Sequence, residues 1–238
     1  MNCLKQTALL LGLAGVAGVS QAGVSSSWTL TSDYDFRGVT QTAQDPALQG
    51  SLDYSHDSGW YIGTWGTNVD FGDDADVDFE LDFYGGFSKT LQSGVGFDVG
   101  LLYYTYPDDS DLNFFEVYGG VSKDWFSGKL WYSPDLGGDS TPGDTPGWYL
   151  EANAEFPLPK NFSLSLHAGY SGGDYWEDAD SEYFDYAIGL GYSVGNFSLG
   201  LKWIDGSDLK AADGTPGDIL SSESRVVFSV ATTFPWGQ

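Results

Sequence analysis

The sequence predicts an all-β chain: a transmembrane, antiparallel, up-and-down β-barrel of about twelve strands, following an N-terminal signal peptide. Three observations predict it. Nearly everything after Ser26 alternates apolar and polar residues with a period of two. Most of the alternating segments run about 9–13 residues, longer than the ~5–6 of soluble strands and enough to cross the hydrocarbon when tilted. The connections between them alternate between short turns and long, acidic loops.

The leader comes first. MNCLK is basic, TALLLGLAGVAGV is apolar, and Ser20-Gln21-Ala22 is a small-x-small cleavage site before Gly23. Residues 1–22 therefore read as the signal peptide and 23–238 as one barrel domain. Cys3 is the single cysteine and leaves with the leader, so disulfides and thiol chemistry are excluded from the exported chain. Lys5 leaves too, while no acid does, which takes the formal charge from −25 to −26. Such acidity excludes nucleic acid, which needs a basic footprint. Trp 9, Tyr 15 and Phe 15 exclude the disorder that an acidic, aromatic-poor chain would show.

The strands are expected near 27–37, 46–55, 59–69, 76–88, 94–106, 112–123, 126–134, 147–157, 161–171, 182–194, 196–205 and 223–234. The first runs into SDYDFRGVTQT (32–42), where Tyr34 and Phe36 alternate with Asp33, Asp35 and Arg37. In the fourth, Val77, Phe79, Leu81 and Phe83 share one face, and Asp78, Glu80 and Asp82 the other. Asp98 marks the polar face of the fifth, and Glu151, Asn153 and Glu155 that of the eighth. Alternation alone leaves open which face is inside, since a lipocalin-like barrel has the same period.

Three features favour apolar-out: loops sorted by length, long strands, and aromatics near strand ends (Trp28, Trp60, Trp148, Tyr170, Tyr192, Phe234). The polar face is also rich in small residues, among them Gly96, Gly100, Ser163, Ser165, Gly189 and Gly191. On this reading the rings of the first strand face lipid and its charges face the interior.

The run Ser32–Thr42 resembles the N-terminal signature of the TorF-like porin family, outer-membrane proteins of Gram-negative bacteria. The resemblance continues through PALQGSLDY (46–54) and GWYIGTWGTNVDF (59–71), and RVVFSVATTF (225–234) is similar to the closing strand of that family. It implies an outer-membrane barrel; what it implies about activity is fold-level analogy.

With apolar faces out, the expected pore-lining residues are Asp33, Asp35, Arg37, Asp53, Asp78, Glu80, Asp82, Asp98, Glu116, Glu151, Glu155, Asp185, Lys202 and Arg225, with Lys129 a further interior base. Confined carboxylates favour cations, so a cation-preferring diffusion channel for small solutes is expected. Two alternatives stay open: a non-conducting outer-membrane barrel with a structural or partner-binding loop surface, and a soluble periplasmic barrel binding an apolar ligand.

Expected partners are outer-membrane lipid and lipopolysaccharide, the barrel-assembly machinery during insertion, and small solutes or cations. No cofactor or metal is expected. The acidic runs Asp70–Asp78 and Asp174–Glu182 lack the spacing of a calcium loop. No enzyme is expected either. Ser163 or Ser165 on the same strand as His167 stands ~7 Å or more from it along the strand, and no G-x-S-x-G elbow occurs.

Overall fold

The computed structural model describes residues 22–72, 75, 77–140, 143–178, 181–207 and 219–236. The expected signal peptide, apart from Ala22, lies outside the described residues.

Among the described residues fourteen strands form: β1 (Gly23–Thr31), β2 (Asp35–Phe36), β3 (Val39–Thr40), β4 (Ala47–Ser55), β5 (Trp60–Asn68), β6 (Phe79–Thr90), β7 (Gly96–Thr105), β8 (Phe114–Lys123), β9 (Phe126–Ser133), β10 (Gly147–Pro157), β11 (Phe162–Gly172), β12 (Tyr183–Val194), β13 (Phe197–Gly206) and β14 (Arg225–Phe234). Twelve of them, all but β2 and β3, pair antiparallel with their chain neighbours and close through β1 on β14. Closure leaves no free edge, so every strand can satisfy its backbone within hydrocarbon.

The pleat sorts the side chains. Along β12, Phe184, Tyr186, Ile188 and Leu190 are exposed outside, and Tyr183, Asp185 and Ala187 are buried inside. The same outward apolar surface continues through Leu52, Ile62, Val99, Leu130, Leu150 and Leu201. Ring pairs band the strand ends, as with Trp60–Phe87 (5.2 Å) and Phe162–Tyr192 (4.8 Å) at the short turns, and Trp148–Tyr170 (5.3 Å) at the long loops. Trp28 differs from the other expected end residues. It lies mid-strand, because β1 begins at Gly23.

That earlier start corrects the first expected strand, placed at 27–37. Val24, Trp28 and Leu30 face out from β1, while Ser25, Ser27, Thr29 and Thr31 face in. The serine-rich half carries so little apolar contrast that its period is hard to read. The wall ends at Thr31, and the next N–H, that of Ser32, donates to the Phe228 carbonyl (2.8 Å). From there the chain folds into the lumen as a hairpin of β2 and β3. Its two-residue turn, Arg37-Gly38, has φ of 52° and 84°, the left-handed pair that a tight hairpin demands.

Tyr34 and Phe36 therefore do not face lipid. Tyr34 is buried, and its ring meets Trp65 (5.4 Å), while Phe36 meets Tyr104 (5.9 Å). Together with Val69, Val77, Leu102, Tyr106, Tyr118, Trp131 and Tyr149 they fill the long-loop half of the interior. In the other half small residues oppose one another, Ser163 with Gly191 and Ser165 with Gly189 across β11 and β12.

Candidate functional site: a charged hairpin inside the barrel

The 32–46 segment is tied to the wall by charge on several sides. From β14, Arg225 donates to Asp33 Oδ2 through Nε (2.5 Å), to Asp35 Oδ1 through Nη2 (2.7 Å) and to the Gly38 carbonyl through Nη1 (2.8 Å). From β13, Lys202 Nζ reaches Asp35 Oδ2 (3.1 Å). Asp33 also accepts from the Thr40 and Thr42 hydroxyls, at 2.5 and 3.1 Å, which shapes the hairpin from within. Arg225 thus reads both acids and one backbone carbonyl, a planar fork that a lysine could not reproduce.

Arg37, at the hairpin tip, grips Glu116 of β8 with two parallel bonds and lies over the Tyr149 ring (4.5 Å) and the Phe36 ring (4.6 Å). Burial opposes the charge on Arg37, but the Glu116 carboxylate together with Tyr104 and Tyr149 offsets this and holds the guanidinium above its ordinary pKa. Glu116 also accepts from Tyr104 Oη (2.9 Å). On the hairpin's other flank, Tyr34 Oη donates to Glu80 Oε1 (3.3 Å). Burial, then the Glu80 and Asp82 charges, push the Tyr34 phenol well above its ordinary value.

A second polar centre lies beside the tip. His167 of β11 places Nδ1 2.6 Å from Asn153 Oδ1 and Nε2 2.7 Å from Asp185 Oδ2. Asn153 is oriented by donating through Nδ2 to Glu151 Oε2 (2.9 Å), and Glu151 accepts from Trp131 Nε1 (2.9 Å). Tyr149 Oη stands 2.9 Å from His167 Nε2 and 3.0 Å from Asp185 Oδ1. The hairpin touches this centre directly: a Cβ on Gly38 would fall 2.5 Å from Asp185 Cβ, so only glycine lets the tip pack there.

The remaining expected residues lie elsewhere in the barrel. Asp53 and Asp98 face the lumen from β4 and β7. Asp53 accepts from Tyr84 Oη and from Ser51 Oγ, and Asp98 from Tyr61 Oη (2.6 Å) and Lys129 Nζ (3.1 Å). Glu155 is half-buried on β10. Asp82 is fully buried on β6, between Trp65 and Tyr104 in register, and neither of its oxygens has a hydrogen-bond partner among the described residues.

Asp78 departs from the expectation. It precedes β6 and is exposed at the rim, because the strand begins one residue later. Of the two acidic runs, Asp73, Asp74, Asp76 and Asp180 lie outside the described residues. No group of three or more His, Cys, Asp or Glu is arranged to hold a metal among the described residues.

Sequence reading missed the tyrosines. Tyr34, Tyr61, Tyr84, Tyr104 and Tyr149 each donate to an interior carboxylate. Parity was the available signal for those on strands: Tyr61 lies between the outward Trp60 and Ile62, and Tyr84 shares its face with Asp82.

Comparison with solved structures agrees with this architecture. The NanC porin superposes with a TM-score of 0.57 at 8% identity, covering 90% of this chain and 100% of that one. A protein from a study of the in-meso crystallization of membrane proteins gives 0.57 at 12% identity, over 90% and 83%. The outer membrane channel DcaP of Acinetobacter baumannii gives 0.43 at 12% identity, over 93% and 100%. At such identities the likeness to the first two is one of fold alone, and for NanC that fold is a porin barrel. No curated protein matches the sequence. A family model matches residues 16–234, nearly the whole barrel, and by that match the chain belongs to the family described as bacterial protein of unknown function (Gcw_chp).

Proposed function

We propose that the protein is an outer-membrane porin of the TorF-like type: a narrow, cation-preferring diffusion channel for small solutes, exported by its leader and inserted by the barrel-assembly machinery. Lipid and lipopolysaccharide would contact its apolar exterior. One observation carries the preference for cations. The interior bases Arg37, Lys129, Lys202 and Arg225 are each engaged by a carboxylate, whereas Asp53, Glu151 and Asp185 have no Lys or Arg partner among the described residues. A confined lumen with that surplus repels anions and admits cations.

The inward hairpin supports a second reading, a barrel closed by its own 32–46 segment. Twelve strands enclose a bore between the filled eight-stranded barrels and the open sixteen-stranded porins, so a hairpin of this size is enough to decide the matter.

Residues 23–238 reconstituted in a planar bilayer test both readings, with the reversal potential read across a KCl gradient. Discrete conductance steps favouring potassium are expected. Steps favouring chloride would reject the acidic-lumen reading, and silence from inserted, folded barrels would leave the closed one standing.

A further inference from the structure

The His167 centre joins the barrel wall to the hairpin tip, and we propose that it is a proton-operated latch on the 32–46 segment. The geometry is that of two alternative hydrogen-bond patterns sharing one set of atoms. Both ring nitrogens face acceptors, Asn153 Oδ1 at 2.6 Å and Asp185 Oδ2 at 2.7 Å. Asn153 cannot reverse its amide without losing its bond to Glu151 Oε2 (2.9 Å). An imidazolium with two N–H groups satisfies every partner, and Tyr149 Oη then donates to Asp185.

Removing one proton leaves a single N–H. If Nδ1 keeps it for Asn153, Nε2 becomes an acceptor, and Tyr149 Oη, already 2.9 Å away, can turn its proton from Asp185 to the ring. Asp185, 2% exposed, then loses both the histidine and the tyrosine donor. A buried carboxylate stripped of donors is unfavourable and draws in water or moves.

Whatever Asp185 and Tyr149 do is felt by the hairpin. Gly38 packs on the Asp185 side chain, and Arg37 lies on the Tyr149 ring. The charged and titratable groups facing His167 are Glu151 (3.9 Å from Nδ1) and Tyr149 on β10, and Asp185 on β12. Arg37 approaches from the hairpin through the Tyr149 ring. The protonated state therefore holds the tip, and the neutral state loosens it. Histidine is the side chain suited to such a change near neutrality.

The test reads hairpin mobility and needs no conduction, so it is independent of the channel reading. The exported chain has no cysteine, which allows one reporter thiol, Val39→Cys, within β3. Its modification by a water-soluble thiol reagent is followed in detergent-folded barrels from about pH 5 to 8, the range in which histidines titrate. Dividing each rate by that of the same reporter in a His167→Gln background cancels the thiol's own ionisation.

That ratio is expected to rise severalfold with pH, in a single step. Asp185→Asn, which keeps shape and removes charge, should flatten the step. Lys202→Met, which removes one of the two cations that hold Asp35, should raise the rate at every pH and leave the step in place. A flat ratio overturns the latch, as does a full step surviving Asp185→Asn. Should the His167→Gln protein fail to fold, the Asp185→Asn background serves as the divisor, and a flat ratio again overturns the latch.

Discussion

Arg37 and Glu116 are joined by two parallel hydrogen bonds, Nη1 to Oε1 at 2.8 Å and Nη2 to Oε2 at 2.7 Å, across the interior of the barrel. Glu116 is 1% exposed, so the pair is desolvated and its halves depend on each other. The hairpin tip is fastened to the wall opposite the strand from which it springs.

Arg37→Ala should therefore cost about 3–5 kcal/mol, the usual penalty for leaving a buried ion without its partner. Urea unfolding of the barrel from vesicles, followed by tryptophan fluorescence, measures it. Arg37→Lys should lie between, because a point charge cannot make both bonds. If the barrel conducts, the alanine variant should also show larger single-channel steps, since its hairpin tip is free.

Gly38→Ala strains the same tip differently. The residue has φ of 84°, and a Cβ would meet Asp185 Cβ at 2.5 Å. Left-handed backbone and overpacking each disfavour the substitution, and together should destabilise by roughly 1–3 kcal/mol. Gly119→Ala is the control: the nearest atom to its Cβ is Val99 Cγ1 at 3.9 Å, and stability should be unchanged.

The barrel was legible in the sequence because each of its strands repeats one constraint, apolar out and small or polar in, over about ten residues. β12 and β10 follow it almost without exception, and their expected bounds fall within a residue of those observed. The hairpin was not legible for the same reason. Tyr34 and Phe36 continue the parity of Trp28 and Leu30, so a period-two reading carries the wall past its true end at Thr31. The contrary signal was Gly38, two residues before Thr40, which can close a tight turn where an unbroken strand would have no use for it. Pairing partners lay further out of reach. Arg225 and Asp33 are 192 residues apart, and no local pattern joins them.

Asp82 should behave unlike an ordinary buried acid. Among the described residues neither oxygen has a hydrogen-bond partner, and Glu80 and Glu116 stand close enough to repel its charge. A group in that position detracts from stability, so Asp82→Asn should raise it by about 1 kcal/mol or more, where most core substitutions lower it. Heat-dependent gel mobility of the folded barrel gives the sign directly. A lower transition temperature for the variant would show that Asp82 has a stabilising partner.

Tyr34 sets an alkaline limit. Its folded pKa lies above the unfolded value of about 10, chiefly through burial and then through the Glu80 and Asp82 charges. Below the unfolded value the phenol is neutral in both states and its contribution is intact. As pH rises further the unfolded chain ionises first, and stability falls until the folded pKa is passed. Tyr106, held up by burial and the same two acids, acts in the same direction. The barrel should therefore weaken above about pH 10, and Tyr34→Phe should reduce that slope while losing the bond to Glu80.

The outer surface gives the sharpest test of membrane residence. Ile188 is half-exposed at the middle of β12, flanked on the same face by Tyr186 and Leu190. Were this surface in water, a lysine there would be tolerated and would improve solubility. In hydrocarbon its ammonium has no partner, and a charge at the midplane of a barrel wall costs about 2–4 kcal/mol, less toward the interfaces. Ile188→Lys should then reduce stability in vesicles by that amount. Val194→Lys, at the end of the same strand, should cost little. Equal effects at the two positions would mean that no hydrocarbon layer surrounds the barrel, because only a bilayer distinguishes the middle of a strand from its end.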